Sequence, residues 1–381
     1  MTRTYSRRSI LLMLSAGIAA PPLLAACERV RQFTASPERG RRRLAKVLVA
    51  PERVIRQTAG LRPFRRSGFN VSVDSLGDKP IIHNYGHGGG GIALSWGTAD
   101  LAMRHALSTP HRDVAVVGCG AVGLATARLL QDHGFTVTIY AREVSPDTTS
   151  NVAGASWAPT LVFDAERSTP GFEEQFVRAA RYAWRYFQTL VGPTYGIFWR
   201  DHYLLSDGSP TGLAAPTPER TLIAAIRPPF VRLPPGEHPF GALEVSHSLT
   251  MHIEPSTYLP AILRDFRVAG GRVVIREFDD PQGLRALPHP LIVNCTGLGA
   301  GRLFADRDVL PIKGQLTVLA PQPEVDYLTT GPEDLYMMPR QDGIILGGTH
   351  ERDVWSLDPN PAEAARILEG HRDIFSHMSL G

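Results

Sequence analysis

Three glycines offer the first chemistry. Gly118, Gly120 and Gly123 stand at G-x-G-x-x-G spacing within DVAVVGCGAVGLATARLLQDHGFTVTIYARE, residues 113–143. At this spacing the first glycine permits a tight turn and the second lets the backbone approach a pyrophosphate. The third lets a helix pack closely on a strand. Ala121 and Val122 open that helix, whose free N–H groups would meet phosphate oxygens. Glu143, about 20 residues beyond, is placed to bind an adenine ribose, with Arg142 beside it. The signature does not choose between a nicotinamide and a flavin dinucleotide. A second run, Gly86-His87-Gly88-Gly89-Gly90-Gly91, leads into Ile92 and Ala93. Its successive backbone N–H groups would form a nest at a positive helix end. Such a nest suits phosphate or the carbonyl edge of a reduced flavin.

Elements must hold these residues in place. Residues 113–117 carry the apolar run of a buried parallel strand, 121–133 have helical periodicity, and 136–140 read as a second parallel strand. Upstream, 70–74 and 79–85 read as strands, 92–107 as a helix and 59–66 as a basic turn. The order strand, glycines, helix therefore occurs twice. Downstream, 173–191 is an amphipathic helix whose Tyr182, Trp184, Tyr186 and Phe187 read as core. Strands at 197–205 and 243–253 belong to a second sheet, joined by a proline-rich, loop-rich connection at 210–239. Further strands are expected at 271–278 and at 291–297, the latter ending in a turn.

The chain has 381 residues, 43% of them apolar, enough for one large or two closely joined domains. Its net charge is +3, and the acid-free start holding Arg3, Arg7 and Arg8 supplies all of that excess, so no nucleic-acid partner is implied. Cys27, Cys119 and Cys295 suggest no disulfide framework, and no metal-ligand spacing is present. Ser6-Arg7-Arg8-Ser9-Ile10-Leu11, with the apolar run 10–20, resembles a twin-arginine export signal. Leu24-Ala25-Ala26-Cys27 resembles a lipoprotein processing site, so Cys27 would carry a lipid anchor in the cell envelope. The apolar run is too short for a comfortable transmembrane span. Residues 28–46 are arginine-rich and read as a tether or a solvated helix.

His83-Asn84-Tyr85-Gly86-His87-Gly88-Gly89-Gly90-Gly91, with Trp96-Gly97 after it, resembles the C-terminal signature of the D-amino-acid oxidase and D-aspartate oxidase family. Gly60-Leu61-Arg62-Pro63 resembles the block just upstream in that family. In the family both blocks follow the catalytic domain, whereas here they precede the dinucleotide signature. The chain thus resembles a circular permutant, with 47–110 matching the family's C-terminal part and 111–381 the rest. Old termini lying close together at the surface make such an order tolerable. The resemblance extends to Val293-Asn294-Cys295-Thr296-Gly297, to Lys313-Gly314-Gln315, where lysine replaces arginine, and to Gly347-Gly348-Thr349-His350.

The resemblance implies an α/β fold: a Rossmann-like FAD-binding domain with a second mixed-sheet (α+β) substrate domain. The expected organisation is an export signal at 1–27, a tether at 28–46 and an FAD-binding domain at 47–160, completed by about 271–300. Residues 161–270 and 301–360 would form the substrate domain. FAD is the implied cofactor. Beyond the two glycine turns, Thr148, Thr149, Ala153, Gly154 and Ala155 would hold its phosphates and ring, and Phe278 its adenine. The implied reaction moves the α-hydrogen of a D-amino acid to flavin N5, and O2 reoxidises the flavin. Arg62 is suited to clamp the substrate carboxylate bidentately. Tyr258 would add a hydroxyl donor, and the Gly89 carbonyl would accept from the amine. Gly90, where relatives carry a larger residue, would widen access near the ring. An acidic substrate would want a second cation, for which Arg65, Arg66, Arg200 and Arg340 are the candidates. Two other classes stay open: a flavin dehydrogenase passing electrons to a membrane acceptor, and a non-catalytic envelope lipoprotein.

Overall fold

The computed structural model describes residues 43–208 and 217–379. The segment expected to be an export signal, Cys27 and nearly all of the expected tether lie outside them. Strand β1 (Val54–Arg65) comes first. It replaces the basic turn expected at 59–66, because a continuous antiparallel ladder pairs it with residues 309–319. Pro63 faces Pro311 across that ladder, and neither supplies an N–H. The arrangement is tolerated because β1 is an edge strand. A hairpin of β2 (Asn70–Leu76) and β3 (Lys79–Tyr85) follows, then a 3-10 turn at Gly88–Gly90 and helix α1 (Gly91–Leu107). Next come β4 (Asp113–Val117), α2 (Ala121–Asp132) and β5 (Thr136–Ala141), close to the bounds expected.

The remainder comprises α3 (Thr149–Val152), α4 (Pro170–Thr189), β6 (Ile197–Ser206), α5 (Pro218–Leu222), β7 (Val231–Leu233), β8 (Glu244–Ile253) and α6 (Pro255–Val268). After these come β9 (Arg272–Ile275), α7 (Pro281–Arg285), β10 (Leu291–Asn294), α8 (Gly299–Leu303), β11 (Val309–Leu319) and β12 (Tyr327–Thr330). The chain continues through β13 (Tyr336–Arg340), β14 (Gly343–Gly347), β15 (Glu351–Arg352) and α9 (Pro361–Ser376).

Two sheets carry the site. The smaller runs β2-β3-β10-β4-β5-β9, and from β3 onward its strands are parallel. Val114, Ala115, Val116 and Val117 of β4 are all buried, as a parallel strand covered on both faces requires. The larger runs β1-β11-β14-β13-β12-β6-β8-β7, antiparallel except where β12 meets β6. The expected layer 47–160 is therefore divided. Residues 70–141 join the smaller sheet, but β1 joins the larger one, because the Gly60–Pro63 block pairs with β11. The described residues from Leu44 onward nonetheless form one compact unit.

Helix α1 is buried nearly all round, which fits a helix covered by partners on several sides. Its Gly97 lets α4 approach: a Cβ there would lie 1.9 Å from the Ala179 carbonyl oxygen. The aromatics of α4 pack as expected, with Tyr186 stacked on Trp96 at 3.9 Å and Trp184 edge-on to Trp157 at 4.6 Å.

Candidate active site

Strand β10 lies between β3 and β4, so the two strand–glycine–helix turns emerge side by side at the carboxyl ends of parallel strands. Open α/β sheets bind ligands at such a place. A cavity of about 1070 Å³ opens there and continues across the larger sheet. It exceeds the roughly 300–1,000 Å³ of ordinary small-molecule sites and suits an extended dinucleotide with a substrate beside it.

The first turn has the geometry its spacing predicts. Gly118 takes φ +113°, and a Cβ on Gly123 would lie 2.1 Å from the Gly118 carbonyl oxygen. Gly118, Gly120, Ala121, Val122 and Gly123 all line the cavity. Ser150, also on the cavity wall, accepts the Ala121 N–H at 3.1 Å, a contact that sequence reasoning missed. At the end of β5, Arg142 and Glu143 line the wall and pair with each other at 3.0 Å. Phe278 faces the same space, with the Arg276 guanidinium 4.8 Å over its ring. Thr148, Thr149, Ala153, Gly154 and Ala155 cross from this region toward the larger sheet and line the cavity too.

The second turn differs in detail from a free nest. Gly88 takes φ +56°, and a Cβ there would lie 1.9 Å from the Leu161 carbonyl oxygen. The N–H of Gly89 donates to that oxygen at 3.1 Å and the N–H of Gly90 to the His87 carbonyl at 2.9 Å. Two of the expected anion donors are thus already engaged, which leaves the first turn of α1. Gly88, Gly89, Gly91, Ile92 and Ala93 line the cavity, whereas Gly90 does not. A Cβ at Gly90 would meet Val162 Cγ2 at 2.9 Å and Leu94 Cδ1 at 3.1 Å. Its missing side chain serves packing and does not widen access.

Arg62 reaches the cavity from β1, and its Nη1 donates to the Thr349 carbonyl at 3.2 Å. The expected partner Tyr258 is elsewhere. It is 1% exposed, sits beside Ser95 and Trp96 of α1, and packs against Phe187 with ring centroids 5.7 Å apart. The ring meets side chains of α1 and α4, and apolar burial holds it in the core. Tyr336 of β13 stands beside Arg62 instead. Burial raises its phenol above the ordinary value, and the neighbouring guanidinium opposes that rise.

Glycines make room for both side chains. A Cβ on Gly314 would lie 2.3 Å from the Arg62 guanidinium, and one on Gly347 would lie 2.1 Å from the Tyr336 ring. The sequence carried a signal for the second pair. Gly343 follows the Gln341-Asp342 turn, so an Asp-Gly pair marks the hairpin, and the hairpin register sets Tyr336 opposite Gly347.

Across the larger sheet, Thr330 of β12 is the cross-strand neighbour of Tyr336. The Thr330 hydroxyl is 2.9 Å from Nε2 of His202 on β6. Both face the cavity, together with Arg220, Arg227 and His350; the sequence had given none of them a site role, though His350 closes a block that carried the resemblance. Of the four arginines held as candidates for a second cation, none lines the cavity. Arg65 pairs with Asp306 at 2.9 Å, Arg340 pairs with Asp342 at 2.8 Å, and Arg200 donates to the Asp326 carbonyl at 3.3 Å. Among the described residues no cluster suits a metal ion.

Comparison with known proteins gives a consistent picture. The family model described as FAD dependent oxidoreductase matches residues 113–380. A D-amino-acid oxidase of Streptomyces coelicolor is 32% identical over 267 residues, which cover 67% of this chain and 75% of the relative. A D-aspartate oxidase of Homo sapiens is 28% identical over 267 residues, 67% of this chain and 73% of the relative. Among solved structures, glycine oxidase from Bacillus cereus shares the fold with a TM-score of 0.51. The identity is 16%, and the match covers 69% of this chain and 78% of the other.

Proposed function

Because the chain belongs to the FAD-dependent oxidoreductase family, we propose that this enzyme is an oxidase of D-amino acids, yielding a 2-oxo acid, ammonia and hydrogen peroxide. One observation carries the reading: Arg62 and Tyr336 share a single cavity with both glycine turns. FAD, when bound, would supply the redox chemistry of hydride acceptance and electron transfer to O2. The glycine turns, Glu143 and Phe278 would hold that cofactor.

The protein's part is positioning. Arg62 offers two parallel N–H donors to the substrate carboxylate, and the Tyr336 hydroxyl offers a third. Tyr336 takes the place earlier given to Tyr258. The Gly89 carbonyl is proposed to accept from a neutral substrate amine, so no side-chain base is needed. The helix α1 N-terminus favours negative charge in the cavity.

Purified, flavin-loaded protein tests this with paired D- and L-amino acids. The expected result is anaerobic bleaching by D-isomers alone, then stoichiometric peroxide on admitting O2. Bleaching without peroxide, with electrons passing to a quinone, would favour the dehydrogenase alternative. No bleaching by any D-amino acid would end the reading.

The permuted order is part of the same proposal. It is supported by β2 and β3 completing the sheet that the matched segment 113–380 begins. A chain rebuilt to start at His111 and end with residues 44–110 is expected to take up flavin as the parent does. Loss of flavin uptake by a soluble, rebuilt chain would count against it. Export and lipidation at Cys27 rest on the N-terminal sequence, and the intact mass of membrane-extracted protein tests them.

A further inference from the structure

We infer that the cavity holds a second anion subsite, formed by Arg227 with Arg220 and His202, and that the substrate is a D-amino acid with a side-chain carboxylate. The inference rests on the oxidase reading and narrows it. Arg220 comes from α5 and Arg227 from the loop after it, within the connection between β6 and β8. Both face the cavity. Arg227 stacks its guanidinium on Phe230, another wall residue, at 5.1 Å.

Arg227 is the telling residue. Among the described residues no ion pair engages it, and the charged group that acts on it is another cation, Arg220. Burial and that neighbour pull its guanidinium down to about 10. Arg220 has carboxylates near it in Glu219 and Asp334. Glu219 is itself buried and accepts the Val162 N–H at 3.0 Å. A desolvated cation beside another cation is unfavourable unless an anion joins them. Burial and the two arginines also hold His202 down to about 3, so it stays neutral and can serve as a hydrogen-bonding wall.

The sheet places this group relative to the carboxylate clamp. In strand order Arg62 lies on β1, Tyr336 on β13 and His202 on β6, with Thr330 of β12 between the last two. In strand order Tyr336 therefore lies between Arg62 and His202. His202 lies two strand spacings beyond it, about 10 Å. A substrate with a carboxylate at each end would satisfy both groups. A neutral D-amino acid would leave the part-buried Arg227 without a counter-ion, and polar groups left without partners in a site give discrimination.

The test uses the flavin-loaded enzyme with D-aspartate, D-glutamate and D-alanine. The expected kcat/KM favours a dicarboxylic substrate over D-alanine by about 100-fold or more. Arg227→Gln should collapse that ratio by about 50-fold, and Arg227→Lys should restore part of it. Binding without turnover gives an independent readout. Succinate should perturb the flavin spectrum at lower concentration than butyrate does, and Arg227→Gln should remove that advantage. The inference is overturned if D-alanine is preferred to both acidic substrates, or if the ratio survives Arg227→Gln within about threefold. Loss of flavin from a folded Arg227→Gln protein would assign the residue to the cofactor and overturn it as well. If no D-amino acid reduces the flavin, the oxidase reading and the substrate assignment fall together. An Arg227-dependent preference for succinate would then still establish the anion subsite.

Discussion

Replacing Arg62 with alanine is expected to lower kcat/KM about 1,000-fold, almost wholly through KM, with flavin content unchanged. Two hydrogen bonds from a guanidinium to a carboxylate contribute about 1.5–3 kcal/mol each. Each 1.36 kcal/mol is a factor of ten in rate, so their joint loss lies near three orders of magnitude. KM carries the loss because the clamp holds the carboxylate equally before and during hydride transfer. Flavin should remain because Arg62 lies on β1 of the larger sheet, while the phosphate turns belong to the smaller one. Arg62→Lys keeps the charge but not the fork and should fall between. Gly314→Ala should act in the same direction but more weakly, since its Cβ would displace only the mobile head of Arg62. A change in kcat/KM of less than threefold in Arg62→Ala would remove the clamp from the mechanism.

Acid should unfold this protein steeply. His87, His252 and His371 are buried, and burial pulls His87 and His252 down to about 3 and His371 to about 4. In the unfolded chain these rings take up a proton near the ordinary 6.5. Between those values the unfolded state holds more protons, so lowering the pH favours it. The stability tied to the neutral rings is complete above about pH 6.5 and drains as the pH falls toward 3 or 4. Each ring contributes about 1.4 kcal/mol per pH unit, so the three together reach about 4 kcal/mol per unit. Set against a typical total of about 5–15 kcal/mol, that slope predicts loss of structure between roughly pH 3 and 5. Urea melts of the flavin-saturated protein from pH 7.5 to 4 measure the slope directly. Stability that stays level down to pH 4 would mean these imidazoles are not the neutral, dry groups described.

How much was legible in the sequence depends on the range of the interaction. The turn at Gly118–Gly123 was readable because its requirements are local: a strand, three glycines and a helix in one short stretch. Strand β10 illustrates the limit. Its apolar run Leu291-Ile292-Val293 announced a buried strand, yet nothing nearby showed that it would separate β3 from β4 and bring two distant turns together. The Gly60-Leu61-Arg62-Pro63 block was read as a turn because proline and glycine punctuate locally. Pairing with β11, more than 240 residues away, made it a strand.

Tyr258 and Tyr336 show the same division. Both are tyrosines near prolines, and composition does not separate them. Tyr258 went to the core because its ring packs among side chains of α1 and α4, while Tyr336 reached the cavity because Gly347 stands opposite it. Arg227 was invisible for a related reason: a cation matters here only through the absence of a counter-ion and the closeness of Arg220, both properties of packing. The dinucleotide turn was readable from local spacing alone, and the resemblance carried by the sequence motifs pointed to the fold class and to Arg62 as a cavity residue. Tertiary structure decided which tyrosine and which further cations share the cavity, because burial and cross-strand register are set by segments far apart in the chain.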